Sequence, residues 1–156
     1  MLTGCFISCG SRGLTLPKEI RMSDVDLVQQ FLGHIFAGEM AQALALVHPQ
    51  ARFIGARPTG DARVPLYGTH EGRAGAEHFF RTFAELLIPG DFEVIGRFGG
   101  AGYVTFFGKF CHSARKTGRP FLSDWALVAQ IDNGMIRFYH FYEDTAALEA
   151  ALLPIP

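Results

Sequence analysis

The stretch FLSDWALVAQIDNGMIRFYHFY, residues 121–142, decides the fold. Two runs rich in aromatic and aliphatic side chains, Phe121 to Ile131 and Ile136 to Tyr142, flank Asp132-Asn133-Gly134. Asn and Gly tolerate the positive φ that a tight hairpin turn demands, so the two runs predict antiparallel strands. Toward the N-terminus the same two-residue period continues in Phe92 to Phe98 and Tyr103 to His112. Gly99-Gly100-Ala101-Gly102 joins those two, and Ser113 to Pro120 leads into the hairpin. Consecutive strands with short links pair with one another, which makes a meander.

Before Phe92 the period is helical. Ser23 or Asp24 caps a helix to about Ala37, with Val25, Val28, Phe31, Leu32, Ile35 and Phe36 as its apolar stripe. Gly38 ends it, and Glu39 to Val47 makes a short second helix stopped by Pro49. Ala51 to Ile54 reads as a short strand, and Gly55 to Tyr67 as a polar loop. Gly72 to Leu87 predicts a third helix, striped by Ala76, Phe79, Phe80, Phe83, Leu86 and Leu87 and ended by Pro89-Gly90. Thr145 to Leu153 closes the chain as a last helix. Helices followed by a meander give the α+β class. A twisted sheet of this size curls, and helices laid on its concave face enclose a blind pocket.

The 156 residues suit one domain, and 49% hydrophobic against 19% charged residues describes a folded one. Fifteen Phe exceed what a core of this size needs and point to a cavity or an interface. A net charge of −1 leaves no basic face for nucleic acid, and no apolar run approaches the ~20 residues that span a bilayer. Residues 1–22 are Gly/Ser-rich without sustained periodicity, so they read as an irregular extension before a single domain at 23–156. Met22 before the Ser23-Asp24 helix start is the expected natural start, and the protein is expected in the cytoplasm. Leu2-Thr3-Gly4-Cys5 has the form of a lipoprotein cleavage box but no apolar segment precedes it. Cys5, Cys9 and Cys111 form no metal or disulfide pattern, and no His pair has metal-ligand spacing, so neither metal nor other cofactor is expected.

Val28 to Glu39 (VQQFLGHIFAGE) resembles the first helix of ketosteroid isomerases and SnoaL-like polyketide cyclases. Ser123 to Val128, Asp132 to Ile136 and Tyr139 to Thr145 resemble the closing strands of the same group. The resemblance spans about Ser23 to Leu153 and implies the cone-shaped nuclear-transport-factor-two-like fold: three N-terminal helices on a curved, mostly antiparallel sheet, then a short C-terminal helix. It also sets the family's catalytic positions against this chain. Phe31 stands where the isomerase branch has its oxyanion-donor Tyr, and Gly55 where it has its base. Gly108, Phe110 and Phe141 stand at the Arg and two Asp positions of the epoxide-hydrolase branch. Neither a phenyl ring nor a glycine transfers a proton, so both chemistries are expected to be missing.

Asp124, mid-strand between apolar neighbours, is the sharpest remaining candidate for a base, with His112 and His34 beside it as candidate catalytic residues. Strand register decides Asp124. A two-residue Asn133-Gly134 turn puts it on the face of Phe141 and Glu143, whereas a three-residue loop with a Gly bulge gives that face to Trp125 and Ser123. Trp125 beside Tyr139 and Phe141 makes the more apolar face, and on that register the expected ligand-binding pocket is Phe31, Phe53, Phe83, Phe106, Phe110, Trp125, Leu127, Tyr139 and Phe141. Arg57, Asp61, Arg63 and Tyr67 are expected at the pocket mouth. The outer face would carry Ile136, Phe138, His140 and Tyr142 with Leu122, Ala126 and Val128, enough to predict a homodimer. The expected partner is a small apolar molecule, with acid–base chemistry on a carbonyl or polyketide-like substrate as one reading and binding without chemistry as the other.

Overall fold

The side chain of Ser23 accepts a hydrogen bond from the Asp26 amide at 3.1 Å and caps α1, Asp24–Phe36. The structure, a computed structural model, describes residues 22–155; apart from Met22, the expected extension with Cys5 and Cys9 lies outside the described residues. Helix α1 buries Leu27, Val28, Phe31 and Leu32, the inner part of its stripe. Helix α2 is Met40–Ala45, shorter than expected, because strand β1 begins at Val47 and runs through Pro49 to Gly55. Proline fits there since β1 leaves its ladder between Val47 and Arg52, where no backbone N–H is required. Strand β2, Gly68–Glu71, pairs with β1 and was hidden in the sequence by its GTHE composition, which carries no apolar alternation.

Helix α3, Gly72–Leu86, lies on β1, and the chain then forms β3 (Leu87–Ile88), β4 (Phe92–Gly100), β5 (Tyr103–Ala114), β6 (Pro120–Asp132) and β7 (Met135–Glu143). Leu87, expected as the helix end, is instead the first residue of β3. Helix α4, Thr145–Leu152, is capped by Asp144, whose side chain accepts from the Ala147 amide at 3.0 Å. The seven strands make one sheet in the order β2-β1-β7-β6-β5-β3, with β4 also on β5. Only β1 and β7 run parallel; the other pairs are antiparallel.

The register at the hairpin combines both expectations. Asn133 and Gly134 have φ of 49° and 74°, the two positive values of a tight two-residue turn, and Asp132 pairs with Met135. Between that turn and the strand centre, β7 carries one extra residue: Ile131 pairs with Ile136, but Gln130 pairs with Phe138, leaving Arg137 as a bulge. The bulge moves the pairing by one, so Trp125, Leu127 and Ala129 oppose Glu143, Phe141 and Tyr139 on the inner face. It also corrects the outer-face expectation, since Ile136 is turned inward and fully buried. Arg137 donates to the Gln50 side chain at 3.0 Å, so its charge is held beside the neighbouring strand β1.

Candidate functional site

Where α1 and α3 cross the concave sheet, their rings do not fill the space. A cavity open at its mouth is lined by Leu32, Ile35 and Phe36 of α1, Leu66, and Phe79, Phe80 and Phe83 of α3. The sheet supplies Phe92, Phe110, His112, Tyr139, Phe141 and Glu143. Of the nine expected pocket residues, Phe83, Phe110, Tyr139 and Phe141 line this cavity. Phe31, Phe53, Phe106 and Leu127 do not. They are almost completely buried and form the packing behind the wall, with Phe53 stacked on Tyr139 at 4.6 Å. Trp125 also sits behind the wall, stacked on Phe92 at 4.5 Å and on Phe141 at 5.3 Å. It reaches Phe92, two strands away, across Gly108, which offers no side chain to block it.

Among the three expected catalytic residues, only His112 is at the cavity. Asp124 points to the convex side, with its side chain 85% exposed and 3.9 Å from Lys109. The Arg137 bulge puts it there. His34 pairs with Glu39 at 2.5 Å at the end of α1 and is not part of the lining. The loop residues expected at the mouth are otherwise engaged. Arg57 pairs with Glu149 of α4 at 3.2 Å, Arg63 with Asp61 at 2.7 Å, and the buried Tyr67 hydroxyl donates to Glu149 at 3.0 Å. Burial and that acceptor push Tyr67 up to about 12.

The group that the residue-by-residue reading passed over is Glu143. It is the last residue of β7, two positions beyond Phe141 and four beyond Tyr139, hence on the same inner face. Removal from water pushes its carboxyl up to about 8. Its side chain is half-buried and lines the cavity together with the aromatic rings. The alternation of β7 was the available signal: once Tyr139 and Phe141 face inward, Glu143 must too. His112 is 2% exposed and the same loss of water holds it down to about 4, so its imidazole is neutral. Tyr139 is pushed above the ordinary phenol range by burial and by the nearby Glu143, and its hydroxyl makes no hydrogen bond among the described residues. A carboxyl, a neutral imidazole and a phenol thus share one aromatic chamber.

The family model for the SnoaL-like domain matches residues 28–139. The chain belongs to the SnoaL-like domain family. Over 92 residues this SnoaL-like domain is 30% identical to patulin synthesis protein F of Aspergillus clavatus, covering 56% of the chain but only 46% of the fungal protein. Among solved structures it is similar to a nuclear-transport-factor-two-like protein of Burkholderia xenovorans (TM-score 0.73, 23% identity, 82% of this chain and 94% of that one). It is also similar to a candidate polyketide cyclase of Pseudomonas putida (TM-score 0.68, 13% identity, 84% and 98%). At such identities these two establish the cone-shaped α+β fold and nothing finer.

Two positions that the resemblance expects to be catalytic, Gly55 and Gly108, have no room for a side chain in this SnoaL-like domain. A Cβ on Gly55 would lie 2.2 Å from the Leu66 carbonyl oxygen and 2.6 Å from the Phe79 ring. One on Gly108 would lie 1.8 Å from the Glu93 carbonyl oxygen. No carboxylate or guanidinium can be restored at either place without moving backbone. Among the described residues no cluster of three or more His, Cys, Asp or Glu is arranged to hold a metal, and no helix is long and apolar enough to cross a membrane.

Proposed function

We propose that this SnoaL-like domain binds a small, largely apolar carbonyl compound and moves a proton on it, as an isomerase-, cyclase- or dehydratase-type enzyme without a cofactor. The observation that carries the reading is the Glu143 carboxyl in a ring-lined cavity, held at about 8. A general acid or base works best with a pKa near the working pH, because both protonation states are then populated. At neutral pH most copies hold the proton and a minority are ready to accept one. The similarity to a protein of patulin synthesis and to a candidate polyketide cyclase supports oxygenated, ring-forming molecules as the substrate class.

The supporting assay is deuterium exchange at the α-carbon of a small cyclic ketone such as cyclohexanone, followed by proton NMR. Wild type exchanges it faster than buffer, and Glu143→Gln slows exchange by ~10²–10⁴-fold. Exchange that survives Glu143→Gln overturns the assignment. The competing reading, binding without chemistry, rests on Phe31, Gly55, Phe110 and Phe141, which the resemblance sets at catalytic positions of the isomerase and epoxide-hydrolase branches. It predicts no exchange in either protein while ligand still quenches Trp125, the single tryptophan, which stacks on Phe141 of the cavity wall.

We also propose a cytoplasmic homodimer paired through the convex sheet face. Phe107, Ala126 and Tyr142 form one row across three strands, with Leu122 on the same face. Leu122, Tyr142 and Phe107 are 59%, 46% and 39% exposed, and His140 stacks on Tyr142 at 3.7 Å.

A further inference from the structure

We propose that His112 is the hydrogen-bond donor to the substrate oxygen, acting as a neutral imidazole through Nε2–H, and that the Gly90 backbone amide is the positioning group that fixes this tautomer. The inference deepens the function proposed above and rests on its assignment of proton transfer to Glu143.

Its basis is one hydrogen bond. The Gly90 N–H donates to Nδ1 of His112 at 3.1 Å. A nitrogen that accepts carries no proton, so the proton of the neutral ring sits on Nε2. Nε2 makes no hydrogen bond to any described residue, while the ring as a whole lines the cavity. The orientation is held on three sides. One face of the imidazole stacks on Phe110 at 4.2 Å, and Phe83 meets it edge-on at 5.4 Å. The third constraint is Gly90 itself, fastened to β5 on both sides. Before it, Leu87 and Ile88 pair with Ala114 and Ser113; after it, the Asp91 carbonyl accepts from the Cys111 amide at 2.9 Å. The approach is so close that a Cβ on residue 90 would lie 2.0 Å from the Cys111 carbonyl oxygen. Only glycine brings its amide to that place.

Chemically, such a ring donates but does not accept. It is therefore suited to a carbonyl oxygen that gains negative charge when Glu143 removes a proton from the adjacent carbon. The enolate is the transient species: the proton passes to the Glu143 carboxylate and returns to the same or a conjugated carbon. The His112 proton stays on Nε2 throughout, and no oxidant or reductant is consumed. The apolar surroundings of the ring favour this neutral form. Phe83, Phe92 and Phe110 pack against it, and Glu143 and Tyr139 are the other ionisable groups of the lining.

The test is nitrogen-15 NMR of the full chain labelled at histidine, with the His112 signals assigned by their loss in His112→Gln. The expected spectrum has an unprotonated Nδ1 and a protonated Nε2, unchanged from pH 8 to pH 5.5. A proton on Nδ1, or a ring that becomes doubly protonated near pH 6.5, overturns the proposal whether or not any substrate is turned over. A second arm uses the ketone exchange assay. Glutamine keeps an N–H donor and phenylalanine keeps only the ring shape, so His112→Phe lowers kcat by ~10²-fold with KM little changed, and His112→Gln recovers part of the loss. Exchange that needs Glu143 yet is indifferent to His112→Phe also overturns it. Failure of the Glu143 assignment shows separately, as exchange unchanged in Glu143→Gln.

Discussion

Replacing Glu143 by Gln changes a titratable carboxyl for a neutral amide of nearly the same shape, and the effect on stability depends on pH in a way that burial alone dictates. In the unfolded chain the carboxyl titrates near 4.5, and in the native cavity at about 8. Between those values the native state holds a proton that the unfolded state has released, so stability falls as pH rises. The stabilising difference is complete below about 4.5 and gone above about 8. At about 1.4 kcal/mol per pH step the ceiling is about 5 kcal/mol, and allowing the carboxylate some water through the mouth leaves about 3. Gln has no such slope. Wild type and Glu143→Gln should therefore lie within about 1 kcal/mol of each other at pH 5 and diverge to about 3 kcal/mol at pH 9, the variant being more stable. His112 bends the acid limb the opposite way: held down to about 4, it supplies stability present above 6.5 and lost as pH falls through 4. Both proteins keep His112, so its contribution cancels in the comparison. Urea denaturation at intervals from pH 5 to pH 9 reads the result, about 1.5 M in midpoint at the alkaline end for a domain of this size. Parallel curves would mean that Glu143 is solvated and that the proton-transfer reading has lost its basis.

Three further outcomes follow from the geometry. Gly55→Asp restores the acidic residue of the isomerase branch on paper, but its Cβ would meet the Leu66 carbonyl oxygen at 2.2 Å; thermal denaturation should show a loss of about 3 kcal/mol or more, with no gain of ketosteroid isomerisation by absorbance. Asp124→Asn, at an exposed site beside Lys109, should leave ketone exchange unchanged and stability within about 0.5 kcal/mol, and a large loss of exchange would restore it as the base. Sedimentation at micromolar concentration should give a dimer that Leu122→Asp converts to monomer, whereas a wild-type monomer removes the convex face as an interface.

Most of the fold was legible because its signals are local. Ser23 before an apolar stripe, Asn133-Gly134 between two strand runs, and Pro89-Gly90 after a helix each state their structure within a few residues. What stayed illegible depends on partners distant in sequence. Strand β2 exists because β1 offers it an edge, and β3 because β5 outlasts β4. The second helix is shorter than its local pattern suggests for the same reason: Val47 is claimed by Ile136, some ninety residues on, and a strand pairing at that distance overrides the local helical preference.

The site was legible only as far as register was. A single bulge at Arg137 decides that the inner face reads Trp125, Leu127 and Ala129 against Glu143, Phe141 and Tyr139. Choosing Trp125 for that face was correct on apolar grounds, yet the same choice already committed Glu143 to the cavity, since its Cα partner is Trp125. Glu143 shares the face of Phe141 in either register, and register decides only whether Asp124 joins it there. The register with tryptophan inside is favoured because it buries an indole and leaves the Asp124 carboxylate hydrated, so only one carboxyl has to surrender water. That one is Glu143, the last residue of β7, directly before the exposed Asp144 that caps α4.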